Sequence, residues 1–426
     1  MIGFMKRLWR DKRGNAMLIA GACLPMVVGA AGLASDTIQW SLWKRQLQKA
    51  ADSAAIAAVY AKMSTQDVPV AVTYDVDKGY NFVRLGQPVT GKKYELLNAP
   101  VIGYPADTAD WVSGISVRMQ VQKSLGFSSL FLTSAPVITA NATAAAVESG
   151  EYCAQAQINT NTTGISAGGN VNVNLGCGMI TNSTSMDAAV AFGSSSVRAS
   201  PVAAVGGLDT TDNWASGTTL LPFTLAQPDP FADINPPAVP NPCNTAFRDS
   251  PSDNQTWPAT PPAGGTVCVK DWIGKGTVNL QPNTTYIITG DMSLNSGAVM
   301  NCTGCTFVLT NNTPSNTGSL TINGGAQMNL TAPDSGTYKG ILFYQNRGAL
   351  SSGMNKINGN SASFFKGAFY FPHSEVEYTG NAGVTFGCLK LVSWKLTFQG
   401  NASITNNCPV DYYGDRFKGR HVRLVA

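Results

Sequence analysis

The sequence predicts a mostly β protein with an N-terminal single transmembrane helix, a helical extension, a small α+β domain and a right-handed parallel β-helix-like domain. Three observations support this fold class. Residues 16–34 form an uncharged apolar run, residues 264–410 repeat alternating strands separated by Gly and Asn, and six cysteines fall into three pairs spaced 20–25 residues apart. A chain of 426 residues has room for two or three domains.

The first element is a membrane helix that follows a basic leader, residues 1–13, with five Lys or Arg. A helix rises ~1.5 Å per residue, so the nineteen-residue run reaches across a ~30 Å hydrocarbon layer. The next basic residues are Lys44 and Arg45, and the positive-inside rule therefore places the leader in the cytoplasm. A cleaved signal peptide is the alternative. The run is longer than the ~7–15 apolar residues of signal peptides, which favours a retained anchor.

An amphipathic extension continues the helix, so that residues 14–63 form one element. Residues 40–59 are rich in Ala and contain few helix breakers. Leu47, Ala50 and Ala54 lie near one face, and small side chains of this kind permit close packing. Two occupants of this face stay open: helices of partner proteins, or the next domain of the same chain.

Four features of the first 55 residues occur together: Lys12-Arg13-Gly14-Asn15-Ala16, Pro25 within the apolar run, Gly32-Leu33-Ala34-Ser35-Asp36, and Leu47-Gln48-Lys49-Ala50-Ala51-Asp52-Ser53-Ala54-Ala55. In this combination the segment resembles the TadE/TadG-like family of Tad (tight adherence) pilus-assembly proteins. Type IV prepilins have a related layout, but their processing site needs an acidic residue where this chain has Ile19. Prepilin cleavage is therefore not expected.

The resemblance implies a component of a Tad/Flp-type pilus or secretion system in the bacterial inner membrane. It also implies contact with the lipid bilayer and with other Tad pilus-assembly proteins through the N-terminal helix. The residues assigned to membrane-helix packing are Gly14, Pro25, Gly32, Asp36, Leu47, Ala50, Ala51 and Ala54.

A small mixed α/β domain follows at residues 64–149. Residues 117–122 alternate strictly between apolar and polar side chains, which predicts a half-buried strand. Residues 138–147 are rich in Ala and Thr and predict a second strand.

A parallel β-helix-like domain is predicted at residues 150–410, with a Pro-rich insertion at 221–263 and a C-terminal strand or tail at 411–426. Gly-containing turns recur near Gly324, Gly359, Gly380 and Gly400. Their spacings are 35, 21 and 20 residues, and the longest is expected to contain a loop at residues 346–356. A repeat of about 20 residues with short strands indicates stacked coils. Gly and Asn suit the corners because they tolerate positive φ.

The cysteines outside the apolar run are even in number, as expected for disulfides in an oxidising compartment. Residues one coil apart stack at about 4.8 Å, which lies within bonding reach of two cysteines. We therefore expect nearest-neighbour bridges. The candidate disulfides of this kind are Cys153 with Cys177, Cys243 with Cys268, and Cys388 with Cys408. The remaining pair, Cys302 with Cys305, has a spacing that in a cytosolic protein would suggest zinc or a redox centre. Because no second pair at zinc spacing exists, we expect a structural bridge across a tight turn.

Charge and motif content argue against nucleic-acid binding and catalysis. The net charge is +4, but residues 1–63 carry nine Lys or Arg and three Asp or Glu, so the remainder is near neutral. The strongest acidic candidates, Glu375 and Glu377, share one strand face beside His373 and are most simply solvated. We expect no catalytic residues, no cofactor and no metal site, and no nucleic-acid partner.

The sequence thus predicts a membrane-anchored scaffold or adhesion-related component of a pilus system. The alternative is a carbohydrate-binding or carbohydrate-active β-helix protein anchored at the cell envelope. Aromatic side chains that could stack on sugars are Trp214, Trp257, Trp272 and Trp394.

Overall fold

The structure is a computed structural model that describes residues 12–80, 82–84, 94–243, 256–350, 354–360, 362–380, 383–401, 403–406, 408 and 413–425. Residues 1–147 with 422–426 form one compact unit, the N-terminal unit, and residues 148–421 form a second, the coil unit. Most of the leader, the 244–255 part of the Pro-rich insertion and the start of the tail lie outside the described residues.

The N-terminal unit is built on one long helix. Helix α1 (Lys12–Met63) includes Pro25, and α2 (Val68–Tyr74) begins where the Asp67 side chain accepts a hydrogen bond from the Val70 backbone N–H at 2.9 Å. Asp67 is thus an N-cap. A π-helical turn, Asp75–Gly79, follows. The strands of this unit are β1 (Phe82–Arg84), β2 (Tyr94–Leu96), β3 (Val101–Gly103), β4 (Trp111–Gln122) and the first part of β5 (Val137–Ala156).

Strand β4 explains how this unit forms its core. It pairs antiparallel with β5, so that Val117 lies opposite Ala142. Every second side chain from Ile115 to Val121 is buried, as the alternation predicts. The buried face of β4 packs against α1.

The coil unit consists mainly of strands that pair in parallel, and the last strand of the chain crosses the boundary between the two units at residue 422. In chain order they are the second part of β5, β6 (Ile165–Ala167), β7 (Asn172–Asn174), β8 (Gly178–Thr181), β9 (Ala189–Ala191), β10 (Ser196–Arg198), β11 (Val202–Ala204), β12 (Leu220–Leu221), β13 (Thr256–Trp257), β14 (Thr266–Val269), β15 (Trp272–Gly274), β16 (Thr277–Leu280), β17 (Thr285–Ile288), β18 (Met292–Leu294), β19 (Val299–Cys302), β20 (Thr306–Leu309), β21 (Leu320–Ile322), β22 (Gln327–Thr331), β23 (Ile341–Gln345), β24 (Met354–Gly359), β25 (Phe364–Gly380), β26 (Gly383–Phe398), β27 (Ser403–Asn406) and β28 (Lys418–Leu424).

Equivalent segments of successive coils form three parallel sheets, and the long strands β25 and β26 each take part in all three. One sheet shows the stacking order of the coils: β14, β17, β20, β23, β25, β26, β5, β8 and β11. The mostly β fold with a β-helix-like domain is therefore confirmed.

The stacking order differs from the chain order. The coils from residues 152–221 do not precede the strand at 266; they stack on the coil formed by 389–406, through the β26–β5, β26–β6 and β27–β7 pairings. The Pro-rich insertion therefore has to return from one end of the stack to the other.

The described part of the insertion makes contacts along this return. The Gln227 backbone N–H donates to Asn182 beside β8, and Tyr344 of β23 donates to the Ile234 carbonyl at 2.9 Å. Cys243 is bonded to Cys268 of β14. Three successive points of the insertion thus meet successively earlier coils of the stack.

A column of glycines marks one corner of the stack. Gly400, Gly169 and Gly193 have φ values of 84°, 76° and 72°. The Asn170 backbone N–H donates to the Gly400 carbonyl at 3.0 Å, and the Asn170 side chain donates to Asn401 at 3.1 Å. Gly168-Gly169-Asn170 is therefore a further copy of the corner motif seen at residues 399–401.

We expect Gly169→Ala to destabilise the coil unit more than Gly217→Ala. Both positions have positive φ, which costs a non-Gly residue about 1–2 kcal/mol. A Cβ at Gly169 would also lie 3.2 Å from the Gly400 carbonyl oxygen, whereas nothing lies within 4 Å at Gly217. Urea unfolding of the two variants measures the difference. Equal losses would contradict the stacking of residue 169 on residue 400.

Candidate functional site

Most of the described side chains in the apolar part of α1, between Ile19 and Leu33, are exposed. Met26 is 75% exposed and Val28 is 50% exposed, and Pro25 and the free Cys23 are exposed as well. Gly14 lies in the first turn of the helix. Within the described residues, the helix at residues 21–63 is long and apolar enough to cross a membrane. An apolar surface of this kind is suited to lipid.

Two residues at the end of the apolar run fix a loop against α1. The Asp36 carboxylate accepts a hydrogen bond from the Ser128 backbone N–H at 2.6 Å, and both residues are buried. Gly32 lies beneath the Phe127 ring, where an added Cβ would lie 2.2 Å from a ring carbon. The loop between β4 and β5 is therefore attached to the helix at the level where the apolar run ends.

The Ala-rich face of the extension is covered by the N-terminal unit itself. Leu47, Ala50, Ala51 and Ala54 have no exposed surface, and α1 packs against β4 and α2. Of the two occupants that the sequence left open, the structure favours the chain's own domain. The exposed apolar run is the part of α1 that remains for lipid or for partner helices.

The family comparison falls on this segment, in which an exposed apolar helix continues into a buried Ala-rich helix. Residues 14–61 match the Tad family model, Flp pilus-assembly TadE/G-like. The resemblance predicted from the sequence is confirmed for this TadE/G-like segment. No curated protein and no solved structure matches the chain. The TadE/G-like segment supports a role related to pilus assembly and, with the apolar helix, supports membrane anchoring.

Four disulfides cross-link the coil unit. They join Cys153 to Cys177, Cys243 to Cys268, Cys302 to Cys305, and Cys388 to Cys408. These are the pairings expected from the spacing of the cysteines. Because Cys153 lies in β5 and Cys177 precedes β8, the first bridge connects two adjacent coils.

A charged cluster attaches the Pro-rich insertion to the outside of the coil unit. Arg347 donates from its guanidinium to the Phe231 and Ala232 carbonyls at 2.8 Å. It also donates to the Tyr370 hydroxyl, which in turn donates to Asp229 at 2.6 Å. Burial, with the Asp229 carboxylate, raises the pKa of Tyr370, so the phenol stays protonated as a donor.

A second charged pair lies deeper. Lys390 has no exposed surface, and its ammonium contacts the Glu151 carboxylate. The Lys390 Nζ also lies 5.0 Å from the centre of the Phe417 ring. Burial lowers the pKa of Lys390, and the hydrogen bond to Glu151 opposes this shift. The pair connects the start of the coil unit to β26, which the chain order separates by more than 200 residues.

The aromatic side chains considered for sugar stacking are mostly internal. Trp272 is fully buried and Trp214 is 9% exposed, and Trp257 packs edge-on against Trp272 with ring centres 5.5 Å apart. Trp394 packs edge-on against His373 at 6.0 Å. Three of the four are therefore core or core-packed residues.

The acidic candidates have individual partners. Glu377 lies 3.9 Å from the Lys356 ammonium, and Glu375 accepts a hydrogen bond from Thr397 at 2.8 Å. Among the described residues, one groove of about 470 Å³ is lined mainly by Thr, Gly, Pro and Ser, with Asp334 as its carboxylate. The carboxylates of Glu375 and Glu377 therefore contact different side chains.

Sequence reasoning missed three features of these surfaces. The Lys390–Glu151 and Arg347–Asp229 pairs join residues that are remote in sequence, so no local pattern indicates them. For the loop that contacts Gly32 and Asp36, the sequence did contain an indication. Residues 124–147 include no charged residue, which is unusual for a stretch that contains a turn such as the one at residues 127–132.

Proposed function

We propose that this chain is a membrane-anchored structural component of a Tad/Flp-type pilus or secretion system and not an enzyme. Helix α1 crosses the bacterial inner membrane once, with its N-terminus in the cytoplasm. The coil unit then lies in the periplasm or outside the cell, where it acts as a scaffold or an adhesion-related surface.

The observation that carries this proposal is the division of α1 within the residues that match the TadE/G-like family. The first part is apolar and exposed, and the second part is buried in its own domain. A helix of this kind both anchors a chain and holds the following domain close to the membrane. The disulfides agree with an exported domain because such bonds persist in oxidising compartments.

The coil unit supports a structural role through its surface. Its Trp residues are mostly internal, Glu375 and Glu377 have separate partners, and one of its grooves is lined mainly by Thr and small residues. For the carbohydrate-active alternative, incubation of the purified chain with acidic polysaccharides is the direct test. We expect no bond cleavage, and steady product release would favour the alternative.

The pilus role is tested by charging the apolar run. We expect Val27→Arg/Val28→Arg to remove the chain from the membrane fraction and to abolish pili in a strain that lacks the natural copy, because each central Arg costs about 2.5–3.5 kcal/mol of insertion free energy. The matched control is Val70→Arg/Tyr74→Arg on α2, where both side chains are more than 60% exposed. Pili are counted by electron microscopy. Normal piliation by the first variant would contradict the proposal.

A further inference from the structure

The loop that joins β4 to β5 carries a cluster of exposed apolar side chains, which we call the apolar loop (residues 127–132). Leu130 is 73% exposed, Phe131 is 69% exposed and Leu132 is 46% exposed. These residues surround a single 3₁₀ turn, Ser128–Leu130. Large apolar side chains on a loop tip are unfavourable in water, and a cluster of them marks an interaction site.

The position of the apolar loop identifies what it meets. Its backbone is bonded to Asp36 at 2.6 Å, and its Phe127 ring lies against Gly32. Both of these α1 residues lie at the end of the apolar run, where the helix leaves the hydrocarbon layer. The loop therefore lies beside the membrane boundary, and its exposed apolar surface continues the apolar surface of the span.

The residues around the loop are those of a membrane interface. Trp40 and Trp43 are half-buried on α1 just beyond Asp36, and Lys123 lies 5.7 Å above the centre of the Trp43 ring. Trp residues are enriched at the level of lipid headgroups, and Lys places its ammonium there. The loop itself carries no charged residue between Lys123 and Glu148 that would oppose its burial in lipid.

We propose that the apolar loop enters the bilayer leaflet where α1 leaves the membrane and forms a second membrane contact. Leu130, Phe131 and Leu132 lie ~5–10 Å below the headgroup boundary, the usual depth of interfacial apolar side chains. Two attachment points then fix the tilt and rotation of the N-terminal unit on the membrane, since a single helix leaves rotation free. This inference rests on the proposed membrane anchor.

The test uses the full chain in vesicles of phosphatidylcholine with a quarter of phosphatidylglycerol. A Leu130→Cys variant that also carries Cys23→Ser is labelled with an environment-sensitive fluorophore, with its disulfides intact. Phospholipids that carry a doxyl quencher near the headgroup end of the acyl chain are then added. The matched control is Ser64→Cys in the same background, an exposed position past the far end of α1.

We expect strong quenching of the Leu130 label and little quenching of the Ser64 label. A label on natural Cys23, read with a quencher at the middle of the acyl chain, reports the anchor separately. If Cys23 is quenched and Leu130 is not, the anchor stands and the loop inference is overturned. If neither is quenched, the proposed anchor itself fails. A Leu130 label that is shielded from both lipid quencher and aqueous iodide would show a protein partner or second copy on the loop, which also overturns the inference.

Discussion

Phe343→Ala lowers the free energy of unfolding of the coil unit by about 4 kcal/mol, within the range for large-to-small changes at buried aromatic positions. Phe343 has no exposed surface. Its ring lies 5.2 Å from that of Phe307 in the coil before it and 4.8 Å from that of Phe369 in the coil after it. Truncation leaves a cavity between two stacked coils whose backbone hydrogen bonds prevent collapse.

The measurement is urea unfolding of the detergent-solubilised chain, followed by near-ultraviolet circular dichroism. The matched control is Phe192→Ala. Phe192 is 52% exposed, so this substitution removes the same kind of side chain from the surface of the same unit. We expect the control to lose less than about 1 kcal/mol. Similar losses in the two variants would show that Phe343 does not lie in a packed interior.

Glu151→Gln is the second change with a large expected effect. It leaves the buried Lys390 ammonium without a countercharge, and breaking a buried pair costs about 3–5 kcal/mol. We expect a loss at the lower end of this range, because the Glu151 side chain is 19% exposed and water partly solvates the pair. The same unfolding measurement checks the size of the loss.

A double variant distinguishes loss of the Glu151–Lys390 ion pair from an effect of the substitution at position 151 itself. Lys390→Met removes the charge and keeps a long apolar side chain, so Glu151→Gln/Lys390→Met should recover most of the stability that Glu151→Gln loses. Replacement of a buried ion pair by apolar groups is often neutral or stabilising. Equal instability of the single and double variants would mean that the loss comes from position 151 alone.

The pKa of Lys390 fixes the direction in which the free energy of unfolding changes with pH. Burial lowers the pKa of folded Lys390 below its ordinary value of 10.5, and loss of Glu151 lowers it further. Between the two pKa values the unfolded state binds more protons, so stability rises with pH. The difference between Glu151→Gln and wild type should therefore narrow as the pH rises towards 10.5. A difference that widens over this range would contradict the assigned charge state.

The features that sequence predicts well here are local. The alternation at residues 117–122 and the Gly and Asn corners depend on neighbouring residues and on a period of about two or twenty positions. Bridged cysteines such as Cys388 and Cys408 follow from the same period. Each of these features is set within one or two coils of chain.

The stacking order depends on contacts that no local pattern contains. Residues 152–174 could stack either before the strand that begins at residue 266 or after the strand that ends at residue 406. The fit between the exposed ends of the coils decides between these two positions. The corner copy at Gly169 and Asn170 is recognised from the hydrogen bonds that these residues make with Gly400 and Asn401. Buried pairs such as Lys390 with Glu151 depend on that stacking order, so they cannot be predicted from local sequence patterns either.

For the candidate site, sequence placed the apolar helix and left the Ala-rich face undecided. Small residues such as Ala50 and Ala54 allow close approach by any apolar partner. The choice between a partner helix and strand β4 therefore depends on tertiary structure. The attachment of Ser128 to Asp36 is likewise a contact between residues 92 positions apart.

The most direct test of the whole account is a disulfide map of the chain taken from membranes with its thiols blocked before extraction. We predict a protein in the membrane fraction in which Cys23 alone carries the blocking group. The peptides should join Cys153 to Cys177, Cys243 to Cys268, Cys302 to Cys305, and Cys388 to Cys408. Blocking groups on all nine cysteines would contradict export. Other pairings would contradict the stacked coils, and loss of the Cys23 peptide would contradict a retained anchor.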